Sequence, residues 1–365
     1  MGVRIRIALA IVELFPNGGL QRDCIAISRR LSARGHQVKI VCTSAVGHEE
    51  DLNVVVLNNS AMTNHGRNQR FSDDLRRYVG TDFDVVAGFD ALEGLDLLYC
   101  ANPPVRYGTF LDGLNPRKRT FMKLEEACFG NESRTRLLLL SGVQREGYER
   151  RWHMDASRVT LVPPTIEKAQ IVAPEARLDI RRKIRQTLGL AEGDEAWLFI
   201  GSFPKTKGLD RLISVLPNFP GHKLLCVGCS PKDAVRFKSL AERLGVHDQV
   251  LWLGVRSDVS DLMAGADLLV HPARHDVTGT VILEAVANGL PVVTTAVCGY
   301  APHVILADAG IVIDEAFEEQ QLIAALHRSS STTLRTRWRD NALSYAKSVD
   351  LFGGLDVATE AIVHS

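Results

Sequence analysis

Short apolar runs rich in β-branched residues alternate along this chain with stretches whose apolar positions recur every three or four residues. The first pattern is that of a strand buried on both faces, the second that of an amphipathic helix. In the first half, strands are predicted at 5–12, 37–43, 53–57, 84–88 and 136–141, with helices at 20–33 and 68–78. The pattern then restarts, with strands at 196–201, 223–227, 250–253, 268–271 and 291–294 and helices at 208–216, 233–244, 259–264 and 280–288. A last amphipathic helix covers 353–364. Such alternation builds βαβ units and parallel sheets. Between the halves, Val162-Pro163-Pro164-Thr165 stops a strand with two prolines, and a weakly patterned stretch runs on to about Pro174. The expected architecture is α/β, with two Rossmann-like βαβ domains facing a central cleft. The domains expected are 1–165, 166–350, and a C-terminal helix in 351–365 that packs back on the first.

Composition adds exclusions rather than a function. At 365 residues the chain exceeds the usual single-domain size. Lys plus Arg and Asp plus Glu both total 43, so no overall field points to nucleic acid. The seven cysteines are dispersed apart from Cys226 and Cys229, which favours reduced thiols. That pair lacks a second Cys or His pair at zinc spacing and reads as a buried strand end. No apolar run approaches the ~18 residues of a spanning helix. The first apolar run reads as a strand entering a glycine turn, not as a signal peptide, so a cytoplasmic protein is expected.

The chemistry concentrates at 271–285. A strand ending at His271 runs into a polar turn, and a helix starts near Thr280. Asp276 lies in the turn, Thr278 and Gly279 lead into the helix, and Glu284 stands eight residues after the first acid. Unpaired N–H groups at a helix start suit a phosphate, and flanking carboxylates can hold sugar hydroxyls. This is what a nucleotide-sugar site needs. In the same half, Gly201-Ser202-Phe203-Pro204-Lys205-Thr206-Lys207-Gly208 feeds another helix, where Lys205 and Lys207 can neutralise a diphosphate. A solvated basic turn is the alternative. Arg256, before the 259 helix, is either a third cation or a surface residue. In the first half, Pro16-Asn17-Gly18-Gly19 opens a helix bearing Asp23. Gly18 and Gly19 either let a ligand approach the backbone or form an ordinary turn, with Asp23 as a first-turn dipole partner. The Gly-x-Gly-x-x-Gly fingerprint is missing, which disfavours a nicotinamide cofactor.

Thr63–Asn68 reads as a polar turn in which His65 is a loop residue more readily than a base. Asp82-Phe83-Asp84 has an acid-x-acid spacing but precedes a buried strand, so it reads as a solvated strand entrance, not a metal site. The segment from Asn115 to Lys123 has four basic residues and no acid, with Tyr107, Phe110 and Phe121 nearby. It fits either a surface docking on anionic lipid or a phosphorylated acceptor, or a solvated helical excursion.

Taken together, the runs at 15–23, 63–68, 94–96, 207–211, 256–260, 266–272 and 291–300 resemble the GT-B family 4 retaining glycosyltransferases. The run Thr294-Thr295-Ala296-Val297-Cys298-Gly299-Tyr300 is most similar to members that build the lipopolysaccharide core. The resemblance implies a metal-independent transfer of a hexose, glucose by the closest likeness, from a UDP-sugar to a heptose of that core. It implies no cofactor besides the donor. Lys207 and, by position, Lys205 would contact the diphosphate, Glu284 the ribose hydroxyls and Asp276 the donor hexose, with Arg256, Thr278, Gly279 and Thr280 around them. Gly18 and Gly19 would face the donor across the cleft, with Asp23 near the acceptor. Catalysis would rest on Asp23, Lys207 and Asp276. The basic segment at 117–123 would touch the cytoplasmic face of the inner membrane. The chain departs from the family in carrying Asp276 for a usual Glu, Thr206 before Lys207, Asn102-Pro103-Pro104 for an acid and polar run, and Thr165 for Gly. Other sugars or glycan acceptors, a GT-B nucleotide-sugar epimerase and a non-catalytic nucleotide-sugar binder are the alternatives.

Overall fold

The computed structural model describes residues 4–15, 18–47, 51–57, 61–105, 114–191 and 193–365. The chain divides into two units, one of Met1–Pro163 with Gly353–Ser365 and the other of Pro164–Phe352.

In the first unit the strands are β1 (Arg6–Ala10), β2 (Glu13–Leu14), β3 (Gln37–Cys42), β4 (Ser44–Ala45), β5 (Val54–Val56), β6 (Val85–Gly88), β7 (Leu97–Cys100), β8 (Arg136–Leu139) and β9 (Val159–Leu161). Seven form one sheet in the order β5-β3-β1-β6-β7-β8-β9, and β2 pairs with β4 alone. Every pairing is parallel, with Ile7 opposite Val38 on one side of β1 and Val85 on the other. The helices are α1 (Gly19–Ala33), α2 (Asn64–Val79), α3 (Pro116–Phe129), α4 (Gly142–Glu149) and, from the other end of the chain, α13 (Gly354–Val363). Successive residues of β1 serve opposite faces, as the strand period of two requires. Ile7 and Leu9 pack with Ile27 of α1 and Ala358 and Ile362 of α13. Ala8 and Ala10 pack with Phe71 and Leu75 of α2 and Phe129 of α3. Arg30 of α1 and Arg34, which caps its C-terminal end, meet Asp356 and Glu360 of α13 at 2.9 and 2.8 Å. These pairs are solvent-accessible and add little beside the buried apolar face.

The second unit repeats the scheme. Its strands are β10 (Ala196–Ile200), β11 (Lys223–Val227), β12 (Val250–Gly254), β13 (Leu268–His271), β14 (Val292–Thr295) and β15 (Gly310–Ile313), all parallel in the order β12-β11-β10-β13-β14-β15. The helices are α5 (Arg177–Thr187), α6 (Leu209–Val215), α7 (Pro231–Arg243), α8 (Val259–Gly265), α9 (Thr280–Ala287), α10 (Ala301–Leu306), α11 (Glu319–Ser329) and α12 (Thr332–Ser348). Trp197 and Phe199 face α6, α7 and α11, while Ala196 and Leu198 face the opposite layer with α8 and α9. Both sheets are therefore covered on two sides, which is why their strands read as continuous apolar runs.

Several expectations are corrected. Thr63–Asn68 is not a turn: Thr63 caps α2, its hydroxyl accepting from the Gly66 N–H at 3.2 Å. Asp23 is the fifth residue of α1, whose first turn holds no acid, so it is not a dipole partner there. The basic run at 115–123 is helical, in keeping with the helical excursion that was one of its two readings, with Asn115 capping Arg117 and Lys118 and Pro116 at the first helical position. Tyr107 and Phe110, and Pro16 and Asn17 of the glycine turn, lie outside the described residues. Asp84 is held by Arg6, whose backbone N–H donates to Oδ2 at 2.7 Å and whose Nη2 donates to Oδ1 at 3.1 Å. All seven cysteines are buried and free.

Candidate active site

In an open parallel sheet, ligands bind beyond the carboxyl ends of strands where the strand order reverses. In the second unit that point lies between β10 and β13. The loops leaving these two strands are the two singled out by their chemistry, 201–208 and 272–279.

Physical stitching holds the loops together. The Arg274 N–H donates to the Thr206 carbonyl at 2.8 Å, and its Nη1 donates to the Lys205 carbonyl at 2.8 Å. The same guanidinium grips Asp210 with two bonds of 2.7 Å. Arg211 donates to the Pro272 and Ala273 carbonyls at 3.1 and 3.2 Å. Gly208, at φ 84°, lets the first loop turn into α6 where an ideal Cβ would stand 2.0 Å from the Pro272 carbonyl oxygen. Only glycine fits there, on both conformational and steric grounds.

Across this seam Lys207 Nζ lies 2.7 Å from Asp276 Oδ2. The same oxygen lies 2.9 Å from His271 Nε2 at the end of β13. Burial pushes the Asp276 carboxyl up, but the His271 hydrogen bond and charge, with Lys207, hold it far below the usual carboxylate range. Burial likewise works against a charged His271, yet Asp276 and the neighbouring Cys298 raise it to about 9. His271, Asp276 and Cys298 offer ligand atoms within 4.8 Å of one another, a spacing a metal could use, but the Lys207 ammonium is already on the Asp276 oxygen.

The other expected residues fall around this centre. Thr278 accepts the Tyr300 N–H at 2.7 Å through its carbonyl, and Gly279, at φ 76°, caps α9. Thr280 opens the helix, and half-buried Glu284 stands four residues on, along the same face. Lys205 is turned to Asp210, with Nζ 2.7 Å from Oδ2. Arg256 is gripped at both arms by Asp258, at 2.8 and 2.6 Å. The side-chain contacts thus join Lys207 directly to Asp276, tie Lys205 to the seam through Asp210, and show Arg256 engaged by its own loop.

The first unit has its own switch point, between β1 and β6. Gly18 caps α1 there and Gly19 is its first residue. No described residue comes within 4 Å of a Cβ on Gly19, whereas one on Gly18 would meet the Gln21 side chain at 1.9 Å. Asp23 Oδ2 accepts from the Tyr99 hydroxyl at 3.0 Å. A cavity of about 650 Å³ is lined by Val12, Gln21, Asp90, Asn102 and Arg117 among others. Asp90 accepts the Val12 N–H at 2.8 Å and contacts Asn102 Nδ2 at 3.5 Å, and burial raises its carboxyl pKa. Glu13 and Arg67, at the same cavity, form an ion pair.

Sequence reasoning missed His271, Arg274, Asp210 and Asp90 as site residues. His271 was read only as a strand end, although a histidine five residues before an acid at a strand–turn junction is itself a signal.

A Rossmann-like sheet in each half, with a stitched cationic seam at the switch point of the second, is the GT-B class of fold. Comparison with known proteins agrees. Residues 17–170 match the model of Glycosyltransferase Family 4, and 180–344 that of Glycosyl transferases group 1. The chain is 34% identical over 369 residues to the lipopolysaccharide glucosyltransferase WaaG of Escherichia coli (strain K12), spanning 98% of each. A crystal structure of WaaG superposes with a TM-score of 0.89 at 33% identity, covering 98% of this chain and 100% of that one. Sucrose-phosphate synthase from Thermosynechococcus elongatus shares the fold, with a TM-score of 0.79 at 19% identity over 99% and 98% of the two chains. The chain belongs to the family 4 glycosyltransferases.

Proposed function

We propose that this protein transfers glucose, with retention of configuration, from UDP-glucose to a heptose of the lipopolysaccharide core. The observation that carries the reading is the end-to-end similarity to a lipopolysaccharide glucosyltransferase, at 34% identity over 98% of both chains. The seam between 201–208 and 272–279 supplies the chemistry. As the bond to the sugar breaks, negative charge grows on the departing diphosphate and the sugar becomes oxocarbenium-like. Lys207, Lys205 and the N–H groups opening α9 would take up that charge in place of a metal ion. Gly279, without a side chain, leaves the approach to α9 open. Glu284 would receive the ribose hydroxyls. Asp276 offers its Oδ1 to a hexose hydroxyl, since Oδ2 serves Lys207 and His271 and no described residue binds Oδ1. The departing phosphate oxygen would accept the proton of the acceptor hydroxyl attacking on the same face, so no carboxylate nucleophile is needed.

The acceptor would use the first unit, where the cavity beside Asp90 and Asn102 presents hydrogen-bonding groups to a polyol and is lined by Leu20 and Gln21, next to the Gly18-Gly19 turn; Asp23 would stand near the acceptor. No helix of the described residues is long and apolar enough to cross a membrane. Arg117 and Arg119 on α3 are exposed, while Lys123 is bound to Glu93 at 2.8 Å. This face would touch anionic lipid at the cytoplasmic side of the inner membrane. Sedimentation with vesicles containing anionic lipid tests that contact: co-sedimentation is expected, and an unbound protein at low salt would remove it. Lys207→Ala and Glu284→Ala test the donor site. Each is expected to lower glucose transfer by about 10²-fold or more while the protein stays folded, and near-normal turnover would overturn the assignment.

A further inference from the structure

His271 ends β13 with its side chain 1% exposed. Its Nε2 and the Lys207 ammonium meet on one carboxylate oxygen, Asp276 Oδ2, at 2.9 and 2.7 Å. The flanking strands β10 and β14 bring no ionisable side chain to it. The ionisable groups facing the imidazole are Asp276 and, from the segment after β14, Cys298. Lys207 reaches it only through Asp276. The Cys298 thiol is itself contacted by the Thr294 hydroxyl at 3.4 Å.

A lysine paired with a carboxylate is a poor anion receptor, because the pair is neutral. A second cation on the same carboxylate changes the balance: two positive charges and one negative leave a net charge of +1. We propose that His271 is a positioning residue of the donor site, a buried imidazolium that neutralises Asp276 so that Asp276 can orient Lys207 without cancelling its charge toward the diphosphate. The proposal rests on the donor-site reading above and deepens it. Without the imidazolium, Asp276 and Lys207 would form a closed neutral pair. The buried Nδ1 of His271 has no hydrogen-bond partner among the described residues. As an imidazolium the ring leaves this N–H unpaired, a cost that the charge of Asp276 has to outweigh.

The test uses the full-length protein in two arms. In the first, the His271 ring is followed by NMR from pH 5 to 10 in the wild type and in Asp276→Asn. The ring is expected to stay protonated through neutral pH in the wild type and to lose its proton below pH 6.5 in Asp276→Asn. A wild-type ring neutral at pH 7 would overturn the proposal whatever the ligand. In the second arm, UDP and UMP binding at pH 7 are measured by calorimetry for the wild type, His271→Gln and His271→Asn. UDP affinity is expected to fall about tenfold in both variants, with UMP changing less, because one net charge is lost beside the terminal phosphate. Equal losses for UDP and UMP, or none, would overturn it. A wild type with a charged ring that binds neither nucleotide would instead remove the donor reading, which separates the two failures.

Discussion

The Gly208 turn sets the register of the cationic seam, and replacing it with alanine should show how tightly the seam is built. An alanine Cβ would stand 2.0 Å from the Pro272 carbonyl oxygen and 2.7 Å from its carbon, and the backbone is at φ 84°. A left-handed conformation costs a residue with a side chain about 1 kcal/mol, and overpacking against backbone adds about 1–3 kcal/mol. The Arg211 bond to the same carbonyl, at 3.1 Å, gives the loop little room to move aside. Gly208→Ala should therefore destabilise the second unit by about 2–4 kcal/mol. It should also move the preceding residue, Lys207, off Asp276. Urea unfolding measures the first effect, and nucleotide binding in the folded fraction measures the second. A midpoint within error of the wild type, with unchanged binding, would show that the two loops are not locked together as described.

Gly19→Ala makes the opposite case: no described residue comes within 4 Å of the added methyl, and the position begins α1. Thermal unfolding should be unchanged or improved by up to about 1 kcal/mol, and a loss of transfer in that stable variant would mark the turn as ligand-facing. Stability should also carry the signature of His271. Its folded-state value of about 9 lies above the ordinary 6.5, so its contribution is full below pH 6.5 and is lost as pH rises through about 9. The difference in unfolding free energy between the wild type and His271→Gln should shrink by about 3 kcal/mol over that window. Parallel pH profiles from urea titrations would contradict the charged imidazole.

Much of this site could be read from the sequence because it is local. The strand–turn–helix around Asp276, Gly279 and Glu284, and the glycine-bounded lysine loop, each carry their meaning within about a dozen residues. The pairing of Lys207 with Asp276 and the Arg274 and Arg211 stitches could not be read, since they join two loops that meet only once β10 and β13 lie side by side. The short strands β7 and β15 escaped for a different reason. They have four residues each and no turn chemistry strong enough to bracket them. Helix α3 was legible as one of two readings, the solvated helical excursion; the Asn115-Pro116 start, an ordinary N-terminal signal, is the local feature that favours it. Helix α12 buries only Trp338 and Ala342 of its 17 residues, so its apolar period is too sparse to see.

The central claim is hexosyl transfer to the lipopolysaccharide core, and one measurement addresses it directly. The purified protein is incubated with UDP-glucose and a lipopolysaccharide core ending in heptose, with and without a metal chelator. The product is analysed by mass spectrometry and by the anomeric proton signal. The account predicts addition of one hexose in α-linkage, unaffected by chelator and lost in Lys207→Ala. No transfer from any UDP-hexose, a β-linked product, or isomerisation of the sugar nucleotide without an acceptor would contradict it.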